Sequence, residues 1–206
     1  MADYSKPDHW SIKAQKESYP ARSVYKLKEM DEKFGLVPKG RTGRSLFKVL
    51  DLGAAPGSWS LYILRKIPAA LLVSVDLSPL SRQYDQGLFD NSDFTFIRGD
   101  FTLTEIRGLI LSQSPYSLIV SDAAPATTGN RSVDTLRSLG LAETVLDYAA
   151  SALAPEGNLV IKVFQGGDTG NLLKSMRALF DTAKAYKPQA SRAESFETYY
   201  LGLGKK

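Results

Sequence analysis

A lysine in the middle of an apolar segment raises the first chemical question. Residues 157–167 read GNLVIKVFQGG, and the run from Leu159 to Phe164 predicts a buried strand with Lys162 inside it. A charged amine is almost never fully buried without a partner. Two interpretations follow. Either the stem packs while the amine reaches solvent, or the amine is placed where its proton is easily lost.

Four apolar segments each have an aspartate at or near their C-terminal end. These aspartates are Asp51, Asp76, Asp100 and Asp122. A single aspartate at such a place is usually a helix cap or a turn residue. Ligands of parallel α/β sheets bind beyond the carboxyl ends of the strands. Four aspartates in succession therefore predict a shared cleft at that edge of the sheet.

The loop DLGAAPGSW follows the first of these segments, and Gly53 and Gly57 allow its backbone to turn tightly and to approach a ligand. Ala55 stands where a dinucleotide fingerprint has its second glycine, and no G-K-[ST] motif is present. The loop therefore suits a ligand with an adenosine but no phosphate. Asp76 is placed to meet ribose hydroxyls, and Asp100 could accept from an adenine amino group. S-adenosylmethionine meets these demands.

Apolar segments of strand and helix character alternate along the chain. Apolar strands buried on both faces predict an α/β fold, with a mostly parallel sheet and helices on both of its faces. The last two strands have no helix between them, so one of them is expected to be antiparallel. Thr102 and Glu105 have the spacing of a capping box at the start of a helix. Trp59, at the start of another helix, is either a core aromatic or part of the wall of the cofactor pocket. The predicted strands are 46–53, 70–76, 94–100, 116–122, 158–164, 182–187 and 197–204, and the predicted helices are 20–34, 57–66, 102–114, 134–153 and 170–180.

Composition excludes several classes of chemistry. The 206 residues contain no cysteine and one histidine, so disulfides, thiolate nucleophiles and cysteine metal sites are excluded, and no metal site is expected. His9 is interpreted as a surface residue. No apolar run is long enough to span a bilayer, and the N-terminal sequence lacks a signal-peptide core, which favours the cytoplasm.

Charge is concentrated near the N-terminus. The chain has a net charge of +4, and residues 1–48 carry 11 Lys/Arg against 6 Asp/Glu. This pattern suggests either a partner with phosphates or a solvated helical face. The length and the 43% hydrophobic content predict a single domain over residues 1–206, with a basic and mobile segment at 1–20 and a core at 21–206.

Five motifs together resemble the FtsJ/RrmJ (RlmE) family of S-adenosylmethionine-dependent ribose 2′-O-methyltransferases. The motifs are RSVYKL, DLGAAPGSWS, SDAAP, VIKVFQGG and SRAESFETYY, and they occur in the order of the family from about residue 18 onward. The resemblance implies a seven-stranded Rossmann-like sheet whose last strand is antiparallel. Ser58 and Ala123 depart from the residues that the family often has, glycine and methionine, which affects only local packing.

The resemblance also implies a catalytic tetrad and a set of cofactor residues. The tetrad would consist of Lys26, Asp122, Lys162 and Glu197. The cofactor residues would be Gly53, Gly57, Trp59, Asp76, Asp100 and Asp122.

The chemistry explains why two lysines would be needed. A ribose hydroxyl is a poor nucleophile at neutral pH, so a base assists its attack on the sulfonium methyl group. A lysine amine can serve only after it loses its proton, and burial and a second cation both favour that loss. We expect Lys162 to be the base, Lys26 to lie beside it, and Asp122 and Glu197 to orient the amines.

RNA is the expected partner, because DNA has no 2′-hydroxyl to accept the methyl group, and the chain is expected to be a monomer. The preferred substrate is a uridine of large-subunit ribosomal RNA. Transfer RNA, an mRNA cap, a small molecule and non-catalytic RNA binding are the alternatives. Candidate RNA contacts are Lys6, Lys13, Lys16, Arg22, Lys28, Lys39, Arg41 and Arg44, with Trp10, Tyr19 and Tyr25 as stacking candidates.

Overall fold

The computed structural model describes residues 8–37, 47–166, 169–192 and 194–206. Within these residues the chain forms seven strands and six α-helices. The strands are β1 (Lys48–Leu52), β2 (Leu71–Asp76), β3 (Phe94–Arg98), β4 (Tyr116–Ser121), β5 (Leu153–Phe164), β6 (Phe180–Tyr186) and β7 (Glu197–Lys205). The helices are α1 (His9–Lys16), α2 (Val24–Phe34), α3 (Ser58–Lys66), α4 (Thr104–Leu111), α5 (Arg131–Ala152) and α6 (Thr169–Leu179), with a 3₁₀ turn at Leu88–Asp90.

The strands form one sheet in the order β3-β2-β1-β4-β5-β7-β6. Strands β1 to β5 pair in parallel, whereas β7 is antiparallel to both of its neighbours. The predicted mixed sheet with an antiparallel last strand is therefore confirmed. The order reverses between β1 and β4, so the carboxyl ends of these two strands flank the crevice where such sheets bind ligands.

Alternating side chains divide the core into two layers, one on each face of the sheet. Val49 and Val120 face the layer that holds α2 and α3, whereas Leu50 and Ile119 face the layer that holds α5 and α6. The prediction of helices on both faces is confirmed. Within the described residues, no helix combines the length and the apolar character that a membrane crossing requires.

The predicted capping box at Thr102 and Glu105 is wrong. Helix α4 begins at Thr104, and its N-cap residue is Leu103, whose side chain makes no capping hydrogen bond. The Thr102 hydroxyl instead donates to Asp100 Oδ1 at 2.7 Å, and the Thr102 backbone N–H donates to the same oxygen at 2.9 Å. Thr102 is hydrogen-bonded to Asp100 in a local turn, so its hydroxyl does not cap the helix.

Residues 8–20 pack against the core. Asp8 caps α1 by accepting from the Ser11 backbone N–H at 2.9 Å, and Ala14 of this helix is buried. The Arg65 guanidinium of α3 donates to the carbonyl oxygen of Ser18 at 3.0 Å. The N-terminal segment is therefore tied to α3 from Asp8 onward, and His9 is exposed as predicted.

Candidate active site

A cavity of about 640 Å³ lies at the carboxyl ends of the parallel strands. Asp76 ends β2, Asp100 lies two residues after β3, and Asp122 follows β4. All three carboxylates line the cavity together with Gly53 and Arg137, and we call it the acidic cavity. The predicted cleft is thus present for three of the four aspartates.

The fourth aspartate, Asp51, does not line the acidic cavity. It is fully buried inside β1, where its Oδ2 accepts from the Ser60 hydroxyl at 2.7 Å and the Ser60 hydroxyl also contacts that of Ser74 at 2.9 Å. Burial is the main cause that raises the pKa of Asp51 to about 7, and the nearby charges of Asp122 and Asp76 add to it. Strand β1 continues to Leu52, so the Asp51 side chain points between the sheet and α3 and does not reach the cleft.

Gly53 brings the loop after β1 against the loop after β4. Its φ is +76°, and a Cβ atom at this position would lie 2.6–2.7 Å from atoms of Ala123. A side chain at residue 53 would therefore push the two loops apart. Asp76 secures the same loop by accepting from the Ala55 backbone N–H at 2.9 Å, and its other oxygen accepts from the Ser78 N–H at 2.8 Å.

Two of the predicted cofactor residues, Gly57 and Trp59, are not among the residues that line the acidic cavity. Trp59 is buried in the core, and its indole N–H donates to the carbonyl oxygen of Ser23 at 2.8 Å. Its neighbour Ser58 accepts from the Ala21 backbone N–H at 2.8 Å. Both side chains therefore fix the segment that precedes α2, the helix that carries Lys26. Ser58, a departure from the resembled motif, takes part in this attachment.

The four predicted tetrad residues form two ion pairs. Lys162 Nζ lies 3.0 Å from Asp122 Oδ1 and also donates to the Asp122 carbonyl oxygen. Lys26 Nζ lies 2.5 Å from Glu197 Oε1. The exposed fractions of the two lysine side chains are 9% and 12%, so neither amine reaches freely into solvent. The partner that a buried Lys162 requires is Asp122.

Asp122 is the centre of this cluster. Burial opposes its ionisation, but the charges of Lys162 and Lys26, and hydrogen bonds from Tyr199 and Lys162, outweigh it and lower the pKa of Asp122 below its ordinary value. The Tyr199 hydroxyl donates to Asp122 Oδ1 at 2.6 Å. The same carboxylate lines the acidic cavity, so the cluster reaches that cavity through Asp122.

Sequence reasoning missed Tyr199. It is the cross-strand neighbour of Lys162 in the β5–β7 pair, and the pKa of its hydroxyl is raised by burial and by the charges of Asp122 and Glu197. Because side chains alternate along a strand, Tyr199 lies on the same face of β7 as Glu197, two residues earlier. That alternation was readable in the sequence, but the register with Lys162 was not.

A second cavity, of about 650 Å³, borders the cluster. Lys26 and Glu197 line it, together with Arg22, Arg192 and Phe196. We call it the basic cavity, because its lining has three cationic side chains against two carboxylates. Arg22 was predicted as an RNA contact, and the structure places it here.

The other candidate RNA contacts are dispersed. Lys13 lies over the rings of Trp10 and Tyr25, at 5.4 and 4.8 Å from their centroids, and Lys28 Nζ is 3.8 Å from a Glu17 oxygen. The Arg65 guanidinium covers the Tyr19 ring at 4.6 Å, and Lys16 is exposed on α1. Lys6, Lys39, Arg41 and Arg44 lie outside the described residues.

Tyr25 does not serve as a stacking residue in this structure. The residue is 3% exposed, and its ring lies against that of Trp10 with the centroids 5.1 Å apart. The prediction that Tyr25 stacks on a base is therefore wrong. Its place in the helix, one residue before Lys26, turns the ring toward the core.

Comparison with known proteins shows the family of the chain. The family model of the FtsJ-like methyltransferases matches residues 19–205, nearly the whole chain. The chain belongs to the FtsJ-like methyltransferase family. It is therefore a methyltransferase, and its methyl donor is S-adenosylmethionine.

Two curated relatives of this methyltransferase have the same name, ribosomal RNA large subunit methyltransferase E. The one from Treponema denticola is 49% identical over 202 residues, which cover 97% of this chain and 96% of the relative. The one from Borrelia garinii subsp. bavariensis is 43% identical and covers 97% of each chain.

Two solved structures share the fold of this methyltransferase. A protein of Plasmodium falciparum, provisionally assigned as a ribosomal RNA methyltransferase, has a TM-score of 0.71 and 23% identity over 91% of this chain and 98% of its own. Human methyltransferase-like protein 13, solved with S-adenosylhomocysteine, has a TM-score of 0.53 and 15% identity over 77% of this chain and 72% of its own. At these identities the likeness shows the fold alone.

Proposed function

We propose that this methyltransferase transfers the methyl group of S-adenosylmethionine to a ribose 2′-hydroxyl, most specifically that of a uridine in large-subunit ribosomal RNA. The observation that carries the proposal is the position of the two lysine–carboxylate pairs. Asp122 lines the acidic cavity, whereas Lys26 and Glu197 line the basic cavity. A group transferred between ligands in the two cavities would pass this cluster.

The acidic cavity has the groups that an adenosine with a cationic sulfonium requires. Asp76 would accept from the ribose hydroxyls, and Asp100 would accept from the adenine amino group. Leu77 and Phe101, which also line the cavity, would provide apolar contact with the base. The carboxylate of Asp122 would attract the positive charge of the sulfonium. The residues present therefore fit the cofactor, and S-adenosylmethionine supplies the electrophilic methyl group.

Lys162 would act as the general base from its place beside Asp122. In this proposal the neutral form of its amine takes up the hydroxyl proton as the ribose oxygen forms its bond to the methyl carbon. The bond between that carbon and sulfur breaks at the same time, which leaves a neutral thioether. Lys26, paired with Glu197, would hold the ribose oxygen, and Tyr199 would fix the Asp122 carboxylate.

The basic cavity and the curated relatives support ribosomal RNA as the acceptor. Arg22 and Arg192 line the basic cavity and could contact phosphates, and Phe196 could contact a base or a sugar. The relatives named ribosomal RNA large subunit methyltransferase E align over nearly their whole length with this chain. DNA is excluded as an acceptor by this chemistry, because it has no 2′-hydroxyl.

The test is transfer of a radiolabelled methyl group from S-adenosylmethionine to three separate acceptors. These are large ribosomal subunits that lack the modification, free large-subunit ribosomal RNA, and total transfer RNA. We expect label in the large-subunit RNA, either free or in the particle, and none in transfer RNA. Label in transfer RNA alone would contradict the proposed substrate, and a protein that binds S-adenosylmethionine but labels no RNA would contradict RNA methylation.

A further inference from the structure

The carboxylate of Asp8 lies against two arginines of the basic cavity. Asp8 Oδ2 forms an ion pair with Arg22 Nη1, and Arg192 Nε lies 4.0 Å from the same oxygen. Both arginines line the basic cavity. An acidic side chain from the N-terminal segment therefore sits between two cations beside the proposed acceptor site.

The two oxygens of Asp8 have separate roles. Oδ1 caps helix α1, because it accepts from the backbone N–H and from the hydroxyl of Ser11, each at 2.9 Å. Oδ2 faces Arg22 and Arg192. Capping needs only a neutral oxygen acceptor, which asparagine or serine also supplies. The cap therefore uses Oδ1 and leaves Oδ2 to pair with the two arginines.

Arg22 is held in place independently of Asp8. Its Nη2 donates to the carbonyl oxygen of Ala190 at 2.5 Å, and the Ala190 backbone N–H donates to Glu29 of α2 at 3.4 Å. Burial and the nearby charge of Arg192 lower the pKa of Arg22. Two guanidinium groups that face the same carboxylate oxygen form a site for an anion with several oxygen atoms.

We infer that Arg22 and Arg192 form a phosphate site for the RNA backbone, and that the Asp8 carboxylate occupies this site until RNA displaces it. The inference rests on the proposed function, since it requires an RNA acceptor in the basic cavity. In the free protein the Asp8 carboxylate accepts the contacts of the two arginines, and in the complex an RNA phosphate would accept them. RNA binding must then break the Asp8 contacts, which weakens the binding of any RNA that cannot place a phosphate at this position.

Asp8→Asn is the variant that isolates the charge, because its side-chain oxygen still caps α1. Glu17→Gln is the matched control. It removes one negative charge from the same segment, and Glu17 lies 3.9 and 3.8 Å from Lys13 and Lys28, away from the two arginines. The comparison therefore separates a local effect at the arginines from the general effect of net charge. Asp8→Ser is a second capping variant whose side chain is too short to bridge the arginines.

The probe is fluorescently labelled large-subunit ribosomal RNA, titrated with each protein at low salt. We expect Asp8→Asn and Asp8→Ser to bind it roughly threefold to fivefold more tightly than the wild type, and Glu17→Gln to change the affinity by less than twofold. Arg192→Gln combined with Asp8→Asn should abolish the gain. The affinity for S-adenosylmethionine should be the same in all variants.

Three results would overturn the inference while leaving the proposed function in place. The first is weaker RNA binding by Asp8→Asn, which would mean that Asp8 holds Arg22 ready for RNA. The second is equal tightening by Glu17→Gln, which would reduce the effect to net charge. The third is a gain that persists without Arg192. If instead the wild type neither binds nor methylates RNA, the proposed function itself fails.

Discussion

The acidic cavity and the basic cavity are close in volume, about 640 and about 650 Å³, but the charges that line them are opposite. Three carboxylates and one guanidinium line the acidic cavity, which suits a cationic cofactor without phosphates. Three cations and two carboxylates line the basic cavity, which suits a polyanion. Asp122 lines the acidic cavity, and the Lys26–Glu197 pair of the same cluster lines the basic cavity. Under the proposed function, this difference in charge would separate the methyl donor from the RNA acceptor.

The two cavities also differ in how the fold builds them. The acidic cavity is formed by residues at the carboxyl ends of parallel strands, as in other α/β sheets. The basic cavity depends on α2 and on the antiparallel strand β7. Because Glu197 pairs with Phe164 in the β5–β7 register, the start of β7 lies at the same edge as the end of β5. Because β7 is antiparallel, its first residue, Glu197, lies at the edge of the sheet where the parallel strands end.

The largest effect is expected from Lys162→Ala, which removes the proposed base from the boundary between the cavities. The rate of methyl transfer in a single turnover should fall about 10²- to 10⁴-fold, the usual contribution of a general base. Binding of S-adenosylmethionine, measured by calorimetry, should be retained. Lys184→Ala is the control. Lys184 lies over the ring of Phe34, and neither residue lines either cavity. A Lys162→Ala enzyme as fast as the wild type would refute the mechanism.

Asp76→Asn should weaken the acidic cavity alone. The affinity for S-adenosylmethionine should fall about 10- to 100-fold, since a charged acceptor for two hydroxyls becomes a neutral amide. The dissociation constant for RNA should stay the same, because Asp76 does not line the basic cavity. Equal loss of both affinities would show that the two cavities are not independent.

Asp51→Asn tests the effect of burying the carboxylate that lies outside the acidic cavity. The pKa of Asp51 is about 7 in the folded protein, whereas it is about 4 in the unfolded chain. The free energy of unfolding of the wild type should therefore fall as the pH rises through this window, and the variant should lack this contribution. From pH 5 to pH 8, the variant should gain roughly 2–3 kcal/mol relative to the wild type.

Urea unfolding at both pH values measures this difference, with Asp147→Asn on the exposed side of α5 as the control. A constant difference between Asp51→Asn and the wild type would mean that Asp51 is ionised in the fold throughout this range. A paired carboxylate with a lowered pKa would give no slope in this range, and the opposite slope only below about pH 4.

The smallest effect is expected from Arg192→Gln, which should weaken the basic cavity alone. RNA binding should weaken several-fold, and the slope of log affinity against log salt should become shallower by about 0.7, the value for one phosphate contact on a single strand. The affinity for S-adenosylmethionine should be unchanged. An unaltered salt dependence would show that Arg192 does not contact a phosphate.

Much of the fold could be predicted from the sequence, because apolar strands and helices alternate and local patterns report them directly. The motifs predicted that Lys162 and Asp122 belong to one cluster, but they did not predict which carboxylate pairs with which lysine. The burial of Asp51 could not be predicted, because its neighbours Ser60 and Ser74 come from two other elements. Tyr199 was missed because its contact with Asp122 depends on the register between β5 and β7. The sequence thus reports local structure well, but cross-strand contacts require the packed sheet.

The most direct test of the account is to locate the transferred methyl group on the nucleotide. Large-subunit ribosomal RNA labelled by the wild-type protein would be hydrolysed with alkali, which cleaves after every ribose with a free 2′-hydroxyl. The account predicts that the label is recovered in an alkali-resistant dinucleotide that begins with a methylated uridine. Label recovered in single nucleotides would place the methyl group on a base and would contradict the proposed role of Lys162.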